Sequence, residues 1–302
     1  MQRAGAATVT GVPTGDPAGA QLALLRRIAD ALDRLAPPAL STPDLAGAWC
    51  HIWRSGQRRL APVDRPDVVR GDLLIGLADA AEALRANTSA FAHGFAAQNA
   101  LLWGVRGVGK SALAKAIVAE VAAQQPTLRL VEVRREDLKD LAQIMEAVAG
   151  APWQVIVFVD DLSFTPGDET PRALRPVLEG GVCGRPANVI LYATSNRRHI
   201  TERDASHVET RDRFVAEGEE EQIALADRFG LRIGFHPMDQ ETYLAVVAAY
   251  ADAAGLDDPG ERLAMEARLF ALEQGGRSGR VARRFVEAKA AACGRTTRFG
   301  AD

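Results

Sequence analysis

The sequence predicts an α/β protein: a five-stranded parallel sheet flanked by helices, preceded by an N-terminal helical region and followed by an all-helical piece. Two observations carry this. From residue 100 onward, short apolar runs alternate with stretches of helical spacing, the pattern of a parallel sheet with helices packed over it. Beyond Pro237 the strand signal ends and only helical stretches follow.

Residues 1–18, rich in Gly, Ala, Thr and Pro and without periodicity, are expected to form a mobile tail. Leu25, Ile28, Leu32 and Leu35 then repeat at helical spacing until Pro37 and Pro38 stop the run, which places a helix in an N-terminal helical region over 19–68. The strand candidates are Ala100 to Trp103, Leu128 to Val133, Val155 to Val159, Val189 to Ala193 and Leu231 to Phe235. Helical spacing joins them, for instance at Leu113, Ile117 and Val121, or at Leu138, Leu141, Met145 and Val148. These strands define an α/β domain over 69–236. Three helices are predicted in the last part, 237–302: Gln240 to Ala254, Glu261 to Gln274 and Gly279 to Cys293. No internal repeat appears.

With 302 residues the chain has ample length to bury a core. A net charge of −3, 47% hydrophobic and 25% charged residues argue against wholesale disorder and against a nucleic-acid-binding tail. Lys110, Lys115, Lys139 and Lys289 are the four lysines among 36 basic residues, so arginine is the default cation and arginine clusters carry less information than usual. Cys50, Cys183 and Cys293 stand singly, without the spacing of a zinc site or disulfide framework, and are expected to be reduced thiols. No run approaches the roughly 18 apolar residues of a membrane span and the N-terminus lacks a signal core, so a soluble, cytoplasmic protein without a membrane partner is expected.

Gly104-Val105-Arg106-Gly107-Val108-Gly109-Lys110-Ser111 fits the G-x-x-x-x-G-K-[ST] phosphate loop, with a strand candidate before it and a helix after it. The glycines let backbone N–H groups close around a β-phosphate, the helix N-terminus favours the anion, and Lys110 reaches the β and γ oxygens. Ser111 offers its hydroxyl to Mg²⁺, and Ala112 follows as a further phosphate-side contact. Val155-Ile156-Val157-Phe158-Val159-Asp160-Asp161 places two acids at a strand end, fifty residues after Lys110. There Asp160 is expected to hold the metal, directly or through water, and Asp161 to polarise the attacking water. Paired acids at such a place also serve as turn formers or a helix cap.

In these motifs the chain resembles the AAA+ superfamily of ring-forming ATPases. The resemblance implies that Val189-Ile190-Leu191-Tyr192-Ala193-Thr194-Ser195-Asn196 carries the polar sensor 1 residue that orients the water, assigned to Asn196, with Thr194 and Ser195 as competitors. It implies an arginine finger at Arg228, in Ala226-Asp227-Arg228-Phe229-Gly230, reaching a neighbouring subunit's γ-phosphate; the alternative is a helix-end cation paired with Asp227. It implies a sensor 2 arginine in a C-terminal helical lid at Arg280, or one turn on at Arg283. Adenine contacts fall, by analogy, on Leu74, Ile75 and Gly76.

More narrowly, Leu-Leu-Trp-Gly-x-Arg-Gly, Asp-Asp-Leu-Ser-Phe, Leu-Glu-Gly-Gly, Tyr-Ala-Thr-Ser-Asn-Arg-Arg-His and Ser-Gly-Arg-Val-Ala-Arg resemble a bacterial family of predicted AAA+ ATPases labelled domain of unknown function 815, over about His51 to about Ala292. The implied function is ATP binding and hydrolysis with Mg²⁺ by a homo-oligomer that remodels or loads an unidentified protein or other macromolecule. A nucleotide-gated adaptor and a helper ATPase acting at nucleic acid are the alternatives. One departure matters: Asp161 stands where most of the superfamily has Glu, one methylene longer, so slow turnover is expected. The absence of an Asn-Lys-x-Asp motif disfavours a GTPase.

Two charged segments stand apart. Glu209 to Glu221 holds six acids against two arginines and is expected to be solvated, or to face a neighbouring subunit or basic partner. His51-Ile52-Trp53-Arg54-Ser55-Gly56-Gln57-Arg58-Arg59 interleaves an aromatic with cations. It is read as an arginine-rich surface anchored by a buried Trp53, in preference to a single-strand-binding platform.

Overall fold

A computed structural model of the chain describes residues 17–35, 43–162, 174–175, 177–178, 185–196, 225–256 and 260–300. The chain divides into two units, Met1–Leu40 and Ser41–Asp302. The first contains helix α1 (Pro17–Leu35), which ends just ahead of Pro37, a residue unable to continue the hydrogen-bond ladder. The expectations of a mobile tail and of a solvated acidic segment at 209–221 fall outside the described residues, apart from the start of α1.

In the second unit the elements run β1 (Cys50–Arg54), β2 (Arg59–Pro62), α2 (Ala78–Ala92), β3 (Ala100–Gly104), α3 (Lys110–Gln124), β4 (Leu128–Val133), α4 (Leu141–Val148), β5 (Gln154–Leu162), β6 (Val189–Ser195), β7 (Leu231–Phe235), α5 (Gln240–Ala253), α6 (Gly260–Glu273) and α7 (Gly279–Ala292). One sheet holds all seven strands in the order β2-β1-β4-β5-β6-β3-β7. Every neighbouring pair is parallel except the β1–β2 hairpin.

Among the described residues the sheet therefore has seven strands where the sequence predicts five, and both extra strands stand in the stretch 19–68, for which helix is predicted. Their signal is short: four and five residues, with arginines at Arg54 and Arg59 in place of an apolar run. What commits β1 is tertiary. His51 and Trp53 point into the protein, Trp53 being 1% exposed, and the strand pairs Cys50 with Leu130 and Ile52 with Glu132. The Trp53 indole Nε1 donates to Asp140 Oδ2 at 2.9 Å, so the ring is buried with its polar edge satisfied.

The central strands are apolar on both faces because helices cover both sides of the sheet; all seven residues of β6 are buried. Leu113, Ile117, Val118 and Val121 of α3 pack on Ile156, Phe158, Ile190 and Tyr192. The Tyr192 hydroxyl lies 2.8 Å from Thr88 Oγ1 and accepts from Asn87 Nδ2 at 3.0 Å, fixing α2 to the sheet. A second core joins the last three helices: Tyr243, Val246 and Tyr250 of α5 and Phe285 and Val286 of α7 pack with Phe299 and with Leu73 from the segment before α2. Asp239 caps α5 by accepting from Thr242 N, and Ser278 caps α7 by accepting from Val281 N.

Candidate functional site

Strand β3 ends at Gly104, where the chain turns into the loop that feeds α3. Gly104 (φ +131°), Gly107 (φ +82°) and Gly109 (φ +102°) adopt backbone conformations that L side chains rarely take. A Cβ on Gly104 would stand 2.1 Å from Phe235 O, so the loop passes too close to β7 for any side chain there. Among the described residues, the N–H groups of Arg106, Gly107, Val108 and Gly109 donate to no protein acceptor. With the first-turn N–H groups of α3 they form an array of donors built for an anion.

Lys110 is 5% exposed, and its Nζ donates to Gly104 O (3.0 Å), Val105 O (2.7 Å) and Asn196 Oδ1 (2.9 Å). Burial lowers its pKa to about 8; the Asp160 and Asp161 carboxylates oppose that shift and the Arg280 guanidinium adds to it. A buried ammonium beside unpaired N–H groups is a strong attractor for a multiply charged anion.

Successive residues of a strand point to opposite faces, yet Asp160 and Asp161 both line the same cavity. The pairing with β6 explains it. Val159 pairs with Ala193, but Leu162 pairs with Ser195, so β5 carries an extra residue, and Asp161 takes φ +58° in that bulge. Thr194, buried on β6, fastens the distortion: its Oγ1 accepts from Asp161 N at 2.9 Å and donates to Asp160 Oδ1 at 2.6 Å. The same Asp160 oxygen accepts from Ser111 Oγ at 2.5 Å. Asn196, just past β6, donates from Nδ2 to Asp161 Oδ1 while accepting from Lys110, and so bridges the two.

These groups converge on a cavity of about 330 Å³. Of the residues expected at the site, Arg106, Gly107, Val108, Gly109, Lys110, Ser111, Ala112, Asp160, Asp161, Asn196, Arg280, Leu74 and Ile75 line it, as does Arg283. Gly104 and Val105 shape the loop from behind, each meeting Phe235 and each lending a carbonyl to Lys110. Gly76 is outside the lining; its positive φ (+77°) and the absence of a side chain let Thr242 of α5 approach, since a Cβ would meet Thr242 Cγ2 at 2.7 Å. Arg228, exposed ahead of β7, is likewise outside the lining. Its neighbour Asp227 accepts from Arg232 Nη1 at 2.5 Å.

Arg280 and Arg283 differ in their ties. Arg283 Nε donates to Glu287 Oε1 at 2.8 Å and its guanidinium lies 5.7 Å from the Phe299 ring centre, whereas Arg280 has no hydrogen-bond partner among the described residues. The start of α7 touches the phosphate loop directly: Gly279 N donates to Gly107 O at 2.9 Å.

Sequence reasoning missed the cavity's apolar wall, which includes Val69, Met238, Val246 and Tyr250, and the half-buried Lys115, whose Nζ pairs with Glu132 at 2.8 Å. Val246 and Tyr250 share a helical face four residues apart, a signal indistinguishable in the sequence from ordinary core spacing.

The model of the family described as "Protein of unknown function (DUF815)" matches residues 46–293. A search of curated proteins gives no match. Among solved structures the chain is similar to the FIGL-1 AAA domain in complex with ADP (TM-score 0.51, 16% identity, 76% of this chain and 75% of that one). It is also similar to the Aeropyrum pernix Orc1 protein in complex with DNA (TM-score 0.51, 15% identity, 75% of this chain and 60% of that one). The fold is that of the AAA+ P-loop ATPases. No helix among the described residues is long and apolar enough to cross a membrane.

Proposed function

We propose that this chain, which belongs to the family described as protein of unknown function (DUF815), is an AAA+ ATPase that binds ATP with Mg²⁺, hydrolyses it as a homo-oligomer, and remodels or loads a macromolecular partner in the cytoplasm. One observation carries this: Lys110, Ser111, Asp160, Asp161, Asn196 and Arg280, drawn from four separate elements, face one cavity together.

The residues fit the nucleotide and its metal. Unpaired loop N–H groups and Lys110 suit the β- and γ-phosphates; Leu74, Ile75 and the apolar wall suit an adenine. Ser111 and Asp160 already share a hydrogen bond and present two oxygens side by side, the donor set Mg²⁺ prefers alongside phosphate and water. When bound, Mg²⁺ neutralises charge on the phosphate oxygens. Asp161 serves as the base that receives a proton from the attacking water, and Asn196 holds that carboxylate in place while contacting Lys110. Arg280 supplies the sensor 2 cation, the role suited to the guanidinium not already tied to a carboxylate. Residues 69–236 act as the nucleotide-binding domain, 237–302 as its lid and 19–68 as an N-terminal region, with the Gly279–Gly107 contact connecting lid to loop. Arg228, exposed and away from its own cavity, acts on the neighbouring subunit's site.

The bulge yields a test of this assignment. Thr194→Val keeps the shape of the side chain but leaves the Asp161 N–H without its acceptor, at a cost of about 1–3 kcal/mol in stability. Mg²⁺-dependent ATP affinity in calorimetry is expected to drop roughly tenfold, since one lost hydrogen bond to a charged group is worth about 1.5 kcal/mol. Affinity measured in EDTA should stay unchanged, and Thr194→Ser should restore the metal-dependent part. Equal loss with and without Mg²⁺ would remove Thr194 from the metal site.

A second reading, a nucleotide-gated switch with little hydrolysis, is favoured by one feature: Asp161 is one methylene shorter than the usual Glu and its carboxylate is already engaged by Asn196. Phosphate release measured across protein concentration separates the two. Specific activity that rises with concentration supports the oligomeric ATPase, tight ATP binding without release supports the switch, and no binding of ATP with Mg²⁺ defeats both.

A further inference from the structure

The β1–β2 hairpin, which the nucleotide site does not use, builds a ledge of cations at the end of the sheet. Arg54 and Arg59 are direct cross-strand partners. Carrying the β1–β4 register two residues past Ile52 and Glu132 brings Arg134, still in extended conformation, beside Arg54. Arg54 and Arg59 thus stand side by side at a strand spacing of roughly 4.8 Å, and Arg134 follows the end of β4 next to them. Arg58 takes φ +45°, a conformation rare for a side chain of its size, and its buried Nε has no hydrogen-bond partner. The exposed Lys139 and Arg135 follow in the 3₁₀ turn Arg135–Asp140.

The turn Arg135–Asp140 carries Glu136, Asp137 and Asp140 beside its own cations, so the excess positive charge lies on Arg54, Arg59 and Arg134. Arg59 Nε donates to the neutral Gln57, Arg134 meets Glu136 only at 3.6 Å with both side chains more than half exposed, and Arg54 has no ion pair among the described residues. Like charges placed directly opposite each other across a strand pair destabilise it. The arrangement is nonetheless held rigid: Asp140 accepts from both Trp53 Nε1 (2.9 Å) and Ser55 Oγ (2.7 Å), clamping the turn after β4 to the hairpin. A repulsive cluster of exposed guanidinium groups fixed in place is arranged for an anion.

We infer that this ledge, centred on Arg54, Arg58, Arg59 and Arg134, is a binding surface for the phosphodiester backbone of a nucleic acid. Charge alone is on offer there. Trp53 is buried, so its ring is not available for base stacking, and none of the exposed large apolar side chains among the described residues belongs to the hairpin or to the turn after β4. A protein partner needs an apolar centre to its interface, whereas a phosphate backbone is held by guanidinium groups without one. Binding is therefore independent of base sequence. The ledge stands at the carboxyl ends of β1 and β4, the same end of the parallel sheet at which β3 delivers the phosphate loop. The inference does not depend on nucleotide hydrolysis.

Fluorescence anisotropy with a labelled mixed-sequence DNA oligonucleotide tests it on the full-length protein. Affinity should fall with salt with a log–log slope of about −2 to −3, the value for phosphate contacts by the three exposed arginines Arg54, Arg59 and Arg134. Arg54→Ala/Arg59→Ala should weaken binding at least tenfold and bring the slope about two units closer to zero. The Arg54→Lys/Arg59→Lys protein should keep the slope. Because the pair is exposed and mutually repulsive, the alanine variant should melt no lower than the parent and retain ATP binding, which separates a lost ledge from a lost fold. No salt-dependent binding by the parent protein, an alanine variant that binds as well as the parent, or a polyglutamate peptide that displaces the oligonucleotide at equal charge concentration would each overturn the assignment, the last by making the ledge a carboxylate site.

Discussion

Replacing Lys110 by alanine is expected to weaken ATP affinity on the order of a hundredfold without unfolding the protein. The ammonium meets two carbonyl oxygens and Asn196 from a buried position, and Lys110 lines the cavity where the β- and γ-phosphates would lie. Hydrogen bonds to charged groups are worth about 1.5–3 kcal/mol each, which makes the loss of this one group about two decades in affinity. Stability should move the other way or not at all. Burial lowers the Lys110 pKa to about 8 from 10.5, so the folded state disfavours the charged form. The destabilisation this represents is present in full below pH 8 and is relieved as pH rises from about 8 to 10.5, where the unfolded chain binds the proton and the folded chain does not. Lys110→Met, which keeps the stem and removes the charge, should therefore melt at least as high as the parent at pH 7 while binding ATP as poorly as Lys110→Ala. Calorimetric titration and a melting curve on each variant check both halves. Unchanged ATP affinity in either variant would mean that this loop does not hold the phosphates.

That Lys110, the loop and the acidic strand end were legible in the sequence while other parts of the cavity were not has a physical origin. The phosphate loop is contiguous: its glycines, lysine and serine are specified by local backbone geometry and need no partner to be recognised. The apolar runs of the central strands are equally plain because strands buried on both faces cannot hide polar residues. The bulge at Asp160–Asp161 is different, since it exists only against β6, where Thr194 Oγ1 accepts from Asp161 N and donates to Asp160 Oδ1. Val246 and Tyr250 come from a helix whose core contacts make the same spacing an ordinary core pattern, and Met238 lies in the irregular segment just before it. The hairpin escaped for a related reason. Its arginines mask a two-residue period that becomes visible only once Trp53 is seen buried against Asp140.

Arg228→Ala is expected to leave ATP binding intact and to lower hydrolysis by roughly 10³ to 10⁵, the range of an arginine acting in trans on a transferring phosphoryl group. Arg228 lies in the turn before β7, and β7 is the last strand of the sheet, so the residue stands on an outer edge and not among the groups around its own cavity. A cation placed there contributes nothing to binding ATP within one subunit. On the proposed function it would add charge to the transition state only when a neighbour's site is brought against that edge, which would tie hydrolysis to assembly. The mixing experiment follows from this geometry. A Lys110→Ala subunit has a defective loop and an intact Arg228; an Arg228→Ala subunit has the reverse. Each alone should be inactive, yet a mixture should recover part of the parent rate, because the intact loop of one variant meets the intact arginine of the other. Recovery should depend on total protein concentration as assembly does. Arg228→Ala that binds ATP as weakly as Lys110→Ala, or a mixture no more active than its parts, would return Arg228 to the role of a helix-end cation and leave the protein without a trans-acting arginine at this position.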